Sequence, residues 1–401
     1  MREWSRRALL RTTFAATAAT SSWVGTEARV MASPGGAPVT GSRASSAVFP
    51  GLPRSKPVLI PAPQPWPGRV VCSDRSGLCA GYWQSSPYGV VGFLWRGGRL
   101  QQLPGGSRPT AINEHGVIIG DIIGRYDRQA FSWVDGKWQP LGFLGGTDTI
   151  GGWTSSAAAV NTFGVIVGTS STDSGNSHAY RLTAGRMQDL GALGGSYSSA
   201  AAINDSGLVV GSSQRQYGST HAFAWSNGKI RDLGTLGGSE SQAVAVNNAG
   251  QIIGSSLTAA GAWHAFLWQR GHMTDLGVLP GDGVSEAVAL TSRGEVLVRS
   301  TGAHPRGFLW SAGRRIELGP AASGFDPVGL NERGLVAGTM STPSGPHAAT
   351  WYRGTLTDHG TLGGPYSDVA AVTAGNMLVG SATTADLFPH AAVWPAEPEQ
   401  P

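Results

Sequence analysis

The sequence predicts an all-β protein, a closed β-propeller of four-stranded antiparallel blades, and three observations support this fold. The 401 residues include 60 Gly and 24 Pro but only 54 Asp, Glu, Lys or Arg, a composition far from that of a helical bundle. A segment of about 43 residues recurs eight times, as in repeat architectures. Each copy contains four short strand signals and no helical periodicity, which is typical of a propeller blade.

The repeat is clearest in two consecutive copies. One contains Ala202-Ile-Asn-Asp-Ser-Gly207, His221-Ala-Phe-Ala-Trp225 and Asp232-Leu-Gly-Thr-Leu-Gly-Gly238, and the next contains Ala245-Val-Asn-Asn-Ala-Gly250, His264-Ala-Phe-Leu-Trp268 and Asp275-Leu-Gly-Val-Leu-Pro-Gly281. Across all copies the turn position falls at Gly77, Gly116, Gly164, Gly207, Gly250, Gly294, Gly334 and Asn376, with spacings of 39 to 48 residues. The aromatic position falls at Trp95, Trp133, Leu182, Trp225, Trp268, Trp310, Trp351 and Trp394.

Each copy is predicted to contain four strands in the same order. A small-residue strand, such as 200–203, would line the axis, where space is tightest. The Asn-x-x-Gly group that follows is a tight turn, because Asn favours the first turn position and Gly the fourth. We give these groups no functional weight. The second strand begins at Leu208, the third runs from His221 to Trp225, and the fourth covers 230–233.

The two ends of the chain predict how the ring closes. The eighth copy stops after its third strand, at Trp394, and the missing fourth strand is present as Pro57-Val-Leu-Ile60 before the first copy. This N-terminal strand is predicted to complete the last blade. A solenoid is the alternative, but it would need polar capping repeats at both ends. We therefore favour a ring, and eight blades over seven.

The recurring motifs resemble the bacterial HAF repeat family. They are the His-Ala-Phe tripeptide, the Asp-Leu-Gly-Thr-Leu-Gly-Gly segment and Ile-Asn-x-x-Gly-x-Ile-Val-Gly, and they cover residues 57–394. The first copy (Val91-Gly-Phe-Leu-Trp95) and the sixth (Arg306-Gly-Phe-Leu-Trp310) depart from the pattern. The resemblance implies an extracellular repeat protein and carries no established activity.

The N-terminus predicts export. Ser5-Arg6-Arg7-Ala-Leu-Leu-Arg11 resembles a twin-arginine signal, and Val30-Met-Ala32 offers small-residue cleavage chemistry. We assign residues 1–32 to a signal peptide, 33–56 to a Pro/Gly/Ser-rich linker, 57–394 to the propeller and 395–401 to a disordered tail. The protein is therefore expected to be secreted or held in the cell envelope. No segment approaches 18 continuous apolar residues, so no membrane span is expected.

Charge and motif content exclude several classes of function. Residues 1–32 contain five Arg and two Glu, which is +3 of the net +4. The remainder is too nearly neutral for the phosphate contacts of nucleic-acid binding. Nucleophile-elbow, phosphate-loop and His-Glu-x-x-His motifs are absent. We assign no catalytic residue, cofactor or metal.

Repeated His and Trp residues are interpreted as structural. One repeat position is occupied by His178, His221, His264, His347 and His390, but equivalent residues of neighbouring blades are too far apart to share one ion. We expect these His residues to pair with Asp on the adjacent strand, namely Asp189, Asp232, Asp275 and Asp358. The repeated Trp is expected to lie in the core between blades. Cys72 and Cys79, the only cysteines, would face each other across a two-residue hairpin turn, and an exported protein could join them in a disulfide.

Variation between copies is concentrated in the connections from a fourth strand to the next first strand. Their candidate ligand-binding residues are Trp66, Arg108, Asp148, Trp153, Tyr197, Glu240, Asp282, Glu286 and Tyr366. The third copy has the longest such loop, residues 146–153, and is the first choice for a contact. Aromatic residues beside carboxylates suit a polar ligand such as a glycan or peptide.

The preferred hypothesis is an exported, monomeric, non-enzymatic module that binds or organises an extracellular glycan or protein through this loop face. The first alternative is a hydrolase or lyase that acts on polysaccharide, with catalytic groups among Asp148, Glu240 and Glu286, which would have to lie at glycosidase separations. The second alternative is a purely structural role in the envelope.

Overall fold

The computed structural model describes residue 53 and residues 56–74, 76–86, 89–124, 128–145 and 153–396. The predicted signal peptide, nearly all of the linker, Asp148 and residues 397–401 lie outside these ranges. The described chain is all-β, as predicted, with one 3-10 turn at Ala321–Ser323 as its only helical element. None of its helical segments has the length and apolarity needed to cross a bilayer.

Thirty-two strands follow the repeat, numbered in chain order. The first, β1 (Val58–Leu59), precedes the first copy. Sheets 1 to 4 consist of β2 (Gly68–Ser73), β3 (Cys79–Ser86), β4 (Gly89–Arg96), β5 (Arg99–Gln102); β6 (Ser107–Ile112), β7 (Ile118–Ile123), β8 (Arg128–Val134), β9 (Lys137–Pro140); β10 (Ser155–Val160), β11 (Ile166–Ser171), β12 (Ser177–Thr183), β13 (Arg186–Asp189); and β14 (Gly194–Ile203), β15 (Val209–Arg215), β16 (Thr220–Ser226), β17 (Lys229–Asp232).

Sheets 5 to 8 repeat the order. They consist of β18 (Gly237–Val246), β19 (Ile252–Thr258), β20 (Trp263–Gln269), β21 (His272–Asp275); β22 (Val284–Leu290), β23 (Val296–Thr301), β24 (Pro305–Ser311), β25 (Arg314–Glu317); β26 (Asp326–Leu330), β27 (Val336–Thr342), β28 (Gly345–Tyr352), β29 (Thr355–Asp358); and β30 (Ser367–Val372), β31 (Leu378–Thr383), β32 (Pro389–Trp394) with β1. Within each sheet the strands are antiparallel, and a single parallel pairing, Ser177↔Tyr197, joins sheets 3 and 4.

The strand near the N-terminus completes the last sheet, as the sequence predicts. Val58 and Leu59 pair with Val393 and Ala392 of β32, and the Ile60 N–H donates to the Ala391 carbonyl at 2.9 Å. Ile60 is fully buried in a cluster that contains side chains of both sheet 1 and sheet 8. Apart from the pairing of sheets 3 and 4, strand pairing joins the named sheets into no larger sheet, and no closed sheet is formed. Ring closure and the number of blades therefore stay predictions.

Apolar side chains fill the space between neighbouring sheets. Val165 and Val167 of sheet 3 form one buried cluster with Phe223 and Trp225 of sheet 4. The prediction that the repeated Trp lies in the core between sheets is therefore confirmed for this copy. Phe and Trp at alternate positions share one face of a strand, so the third strand directs both rings toward the preceding sheet.

A bulge in the first strand explains the glycine that recurs on the second strand. In sheet 4 the register shifts between Ala200 and Ala202, which brings the Ser199 carbonyl over Gly211. A Cβ at Gly211 would lie 2.0 Å from that oxygen. Only glycine fits there, since close approach of two backbones leaves no room for a side chain.

The predicted disulfide between Cys72 and Cys79 is not formed, and both thiols are free. The turn between their strands extends from Asp74 to Leu78, whose backbone groups bond at 3.0 Å, and is therefore longer than the predicted two-residue turn. Cys79 pairs with Ser73 and Cys72 with Ala80. This one-residue offset places the two thiols on opposite faces of the sheet. Burial raises the pKa of both, that of Cys79 to about 12.

The antiparallel order gives every sheet two distinct ends. The turn end contains the connections from first to second strand and from third to fourth strand. The loop end contains the connections from second to third strand and from each fourth strand to the next sheet. The Asn-x-x-Gly groups lie at the turn end, and the sequence-predicted ligand residues lie at or near the loop end.

Candidate functional site

Residues at the turn ends of all eight copies line one shared space, the central cavity, which has a volume of about 470 Å³. This volume is within the range of small-molecule sites. The lining consists of amides (Asn113, Asn161, Asn204, Asn247, Asn248), hydroxyls (Ser73, Thr162, Ser292, Thr373), carboxylates (Asp74, Glu114, Asp205, Glu332) and apolar side chains (Ile112, Val160, Ile203, Val246, Leu290, Val372, Ala374).

A chain of amide hydrogen bonds organises the cavity rim. The Asn161 side-chain amide donates to the Asn204 carbonyl at 3.2 Å, and the Asn204 amide donates to the Asn247 carbonyl at 3.0 Å. The same bond links Asn113 to Asn161, Asn247 to Thr291, and Asn331 to Thr373. Each bond joins one sheet to the next, so five side chains at one repeat position connect the turns of sheets 2 to 6 in series and the turn of sheet 7 to that of sheet 8.

The side-chain carbonyl oxygen of each of these Asn residues stabilises the turn to which the residue belongs. The Asn204 Oδ1 accepts from the Leu208 N–H at 2.9 Å and from the Ser206 hydroxyl at 2.8 Å. Asn204 is almost fully buried, and buried polar atoms need such partners. The Asn side chain therefore closes the turn and also binds the neighbouring sheet, a role that turn propensity alone does not reveal.

In three of the turns, a carboxylate residue directly follows the Asn that forms the bond between sheets. They are Glu114, Asp205 and Glu332, and they come from sheets 2, 4 and 7. Glu114 and Glu332 are exposed, and Asp205 is half-buried. Lys, Arg and His do not occur among the lining residues of the described chain. Asp74 differs because its side chain is buried and lies 3.6 Å from the Arg96 guanidinium.

Hydrogen bonds hold two of these carboxylates in place across sheet boundaries. Asp205 accepts from the Asn248 amide at 2.7 Å and from the Thr162 N–H at 3.0 Å. The bond from Asn248 holds the pKa of Asp205 below its usual range. Glu332 accepts from the Ser292 N–H and hydroxyl at 2.9 and 2.7 Å. In the part of its lining that the structure describes, the central cavity therefore has carboxylates that hydrogen bonds hold in place and no cationic side chain.

The sequence-predicted ligand residues are dispersed and engaged locally. Arg108 lies in β6 with its guanidinium 5.2 Å from the Tyr82 ring centroid. Asp282 pairs with Arg306 at 2.7 Å, and Glu286 lies 3.7 Å from Arg299. Tyr197, Glu240 and Glu286 lie in strands rather than in loops. Trp66 packs against the cluster between sheets 1 and 8, and Trp153 lies next to Gly145. Tyr366 is 47% exposed.

The predicted His–Asp pairs are present. His221 Nδ1 lies 2.8 and 2.9 Å from the two Asp232 carboxylate oxygens, and the same contact joins His178 to Asp189, His264 to Asp275, and His347 to Asp358. His390, whose fourth strand is β1, instead contacts Thr384 at 3.2 Å. Among the described residues, no three His, Cys, Asp or Glu side chains converge as a metal site would require.

The central cavity is the site that sequence reasoning missed. The Asn-x-x-Gly groups were interpreted as turn chemistry alone. A signal was present in the following position, which is Arg75, Glu114, Thr162, Asp205, Asn248, Ser292, Glu332 and Ala374 in chain order. A polar position that varies within a constant turn indicates exposure to a common space, but only the packing of the sheets brings these residues together.

The comparisons with known proteins support the fold. No family model and no curated protein matches the chain. Among solved structures, it resembles a Mycobacterium tuberculosis puromycin-hydrolysing peptidase (13% identity, TM-score 0.50, 78% of this chain and 56% of that one) and a puromycin hydrolase (12%, 0.51, 78% and 57%). The propeller domain of the Trilobed protease from Pyrococcus furiosus also matches (9%, 0.47, 75% and 97%). The chain spans little more than half the length of the two puromycin-hydrolysing proteins.

These likenesses correct the functional prediction. The prediction was a non-enzymatic module that binds or organises a glycan or protein through the loop face, with a polysaccharide-acting enzyme as the alternative. This prediction is wrong. The two similar structures with TM-scores of 0.50 and 0.51 are a puromycin-hydrolysing peptidase and a puromycin hydrolase, and neither gives support for a glycan ligand. At 12–13% identity the likeness shows the fold alone, so the function must be argued from the residues of this chain.

Proposed function

We propose that this protein binds a peptide and that the central cavity receives a cationic group of that peptide, an Arg or Lys side chain or a free amine. The observation that carries the proposal is the lining of the cavity. Three carboxylates, Glu114, Asp205 and Glu332, line it, and the lining residues of the described ranges include no cationic side chain. A concave site with one sign of charge concentrates ligands of the opposite sign.

The geometry of the rim favours a directional ligand over a diffuse ion atmosphere. Asp205 and Glu332 are oriented by bonds from neighbouring turns, so little side-chain entropy is lost when a ligand binds. Guanidinium and ammonium groups form their strongest hydrogen bonds with carboxylates. Preorganised acceptors of this kind raise affinity because the cost of ordering them is already met on folding.

The apolar part of the lining favours a cation on an alkyl stem. Ile112, Val160, Ile203, Val246 and Leu290 end their first strands just before the polar turn residues and line the same cavity. Arg and Lys bury their methylene groups against apolar surface while the charged end stays among polar groups. A basic residue of a peptide therefore matches both parts of the lining.

The test uses labelled hexapeptides that differ only in a central Arg, Gln or Glu, with binding followed by fluorescence anisotropy. We expect the order Arg, then Gln, then Glu, and weaker binding of the Arg peptide at higher salt because screening weakens exposed charge pairs. The double variant Glu114→Gln, Glu332→Gln should lose about tenfold in affinity for the Arg peptide, equivalent to about 1.4 kcal/mol.

The matched control is Glu240→Gln, Glu286→Gln, which removes the same charge from strand residues near the loop end. It should bind the Arg peptide as the parent protein does. Equal binding of the Arg and Gln peptides, or equal loss in the two double variants, would show that the central cavity is not the binding site.

The cellular setting is part of the same proposal. The twin-arginine-like segment at Ser5–Arg11 and the HAF-type motifs support export of a folded repeat protein. Fusion of residues 1–40 to a reporter that is active only outside the cytoplasm tests this. Export should be lost when Arg6 and Arg7 are both replaced by Lys.

A further inference from the structure

One loop of sheet 7 adds a serine hydroxyl to a His–Asp pair of the repeat. The Ser344 hydroxyl lies 3.1 Å from His347 Nε2. His347 Nδ1 lies 2.9 and 3.0 Å from the Asp358 carboxylate oxygens. Both ring nitrogens are therefore engaged, one by a hydroxyl and the other by a carboxylate, which is the arrangement by which Ser–His–Asp triads are recognised on unrelated folds.

We propose that Ser344 is an activated nucleophile and that, with His347 as base and Asp358 as positioning residue, it gives the protein esterase activity toward small acyl esters. This site is at the loop end of sheet 7, opposite the central cavity, and it is independent of the proposed peptide binding. None of its three residues is among the ligand residues that the sequence indicates.

Local structure holds the three groups in position. Ser344 lies in the two-residue connection between β27 and β28, and His347 follows on β28. The Gly360 N–H donates to Asp358 Oδ1 at 2.7 Å, and the Thr342 hydroxyl lies 2.9 Å from the Ser344 hydroxyl. A base oriented by a third group, with the nucleophile in hydrogen-bond reach, is the geometry that general-base activation requires.

Other copies of the repeat show what is particular to this one. His178, His221 and His264 make the same contact with an Asp of the next strand. Three residues before each of these histidines the chain has glycine, at Gly175, Gly218 and Gly261, whereas Ser344 has that position before His347. The His–Asp pair is thus common structure, and the serine is the added chemical group.

The reaction balances without a further reactant except water. Ser344 Oγ attacks the ester carbonyl carbon while its proton passes to His347 Nε2, and Asp358 stabilises the resulting imidazolium. The tetrahedral intermediate collapses, the C–O bond to the alcohol breaks, and the alcohol leaves with the proton from His347. Water, deprotonated by His347, then hydrolyses the acyl–Ser344 ester and restores the free hydroxyl.

The surroundings indicate the class of substrate. Ser344 is exposed, so an ester can reach it without entering a channel. The Tyr366 ring lies directly beside Gly345, where an added Cβ would be 2.5 Å from the ring edge. Pro343 and Pro346 flank the serine and the glycine. These apolar surfaces suit a small aromatic or short aliphatic acyl group.

The experiment treats the protein with a fluorophosphonate probe, locates the adduct by mass spectrometry, and follows p-nitrophenyl acetate turnover. We expect the adduct on Ser344 and none in Ser344→Ala. His347→Gln should slow labelling about a hundredfold or more, a typical contribution of a general base.

Asp358→Asn and Asp275→Asn provide the control pair, because each removes the Asp from an equivalent His–Asp contact. Both should lower the melting temperature by similar amounts, but only Asp358→Asn should slow labelling and turnover. Labelling at another residue, no labelling, or equal effects of the two Asp variants on the labelling rate would overturn the proposal.

Discussion

The two ends of the sheets use the same repeat in opposite ways. At the turn end, one residue position makes the same bond from sheet to sheet, as Asn161 does to Asn204 and Asn204 to Asn247. At the loop end, contacts differ from sheet to sheet. Asp282 forms an ion pair with Arg306 in sheet 6, and the Ser344 hydroxyl is within hydrogen-bond distance of His347 in sheet 7. Repetition therefore creates a shared cavity at the turn end, and variation creates individual local sites at the loop end.

The largest effect is expected from removal of β1, the edge strand that completes sheet 8. Deletion of residues 57–61 removes β1 and the fully buried Ile60 and leaves the β32 edge unpaired. Burial of one such side chain contributes about 1.5–3 kcal/mol, so the loss should be at least about 3 kcal/mol in urea unfolding. Deletion of residues 33–37 is the control. A parent-like midpoint for the first deletion would refute the pairing of β1 with β32.

The next largest effect is a difference in stability between substitutions at the two ends of sheet 4. Asn204→Ala removes a buried side chain with bonds to its own turn and to Asn247, and buried groups left without partners cost about 1–3 kcal/mol. Tyr217→Ala at the loop end removes a side chain that is 93% exposed and should change stability by less than about 0.5 kcal/mol. Chemical denaturation of both variants checks this. Equal losses would contradict the contrast between the ends.

A smaller, pH-dependent effect compares one carboxylate at each end. Burial of Asp282 acts to raise its pKa, but hydrogen bonds from Arg306 and Ser300 and the charge of Arg306 lower it below its usual range. The hydrogen bond from Asn248 lowers the pKa of Asp205. A group whose folded-state pKa is lowered stabilises the fold above the unfolded-state pKa of about 3.9. That stabilisation is lost as the pH falls through the folded-state pKa.

Asp282→Asn and Asp205→Asn should therefore both be less stable than the parent at pH 6, and the difference should shrink toward pH 2. The loss should be larger for Asp282→Asn, because it leaves the mostly buried Arg306 guanidinium without its counter-charge, whereas the partner of Asp205 is a neutral amide. Melting temperatures across this pH range provide the measurement. A deficit that grows on acidification would have the wrong sign for this explanation.

Local pattern was enough to predict the strands, the His–Asp pairs and the strand that β1 adds to sheet 8, since each depends on periodicity or on neighbouring strands of a hairpin. It failed for Cys72 and Cys79 because register depends on turn length. The turn from Asp74 to Leu78 shifts the pairing by one residue, and one residue exchanges the two faces of a strand.

The central cavity could not be predicted for a different reason. Glu114, Asp205 and Glu332 share one position of the repeat but lie 91 and 127 residues apart along the chain, and the repeat alone does not show that their side chains line one space. The role of Ser344 could not be predicted either. A hydroxyl contact like that of Thr342 with Ser344 also joins Thr172 to Ser174 in sheet 3, and only the folded structure shows the Ser344 hydroxyl 3.1 Å from His347 Nε2.

The amino-acid sequence by itself determined the all-β repeat, the order of strands in each sheet and the residues of its core, because alternation, turn chemistry and recurrence are local properties of the chain. Tertiary structure alone decided which residues share a site. The Asn204 amide reaches the Asn247 carbonyl, and carboxylates of sheets 2, 4 and 7 line one cavity, only because packing of whole sheets fixes distances between residues that are far apart along the chain.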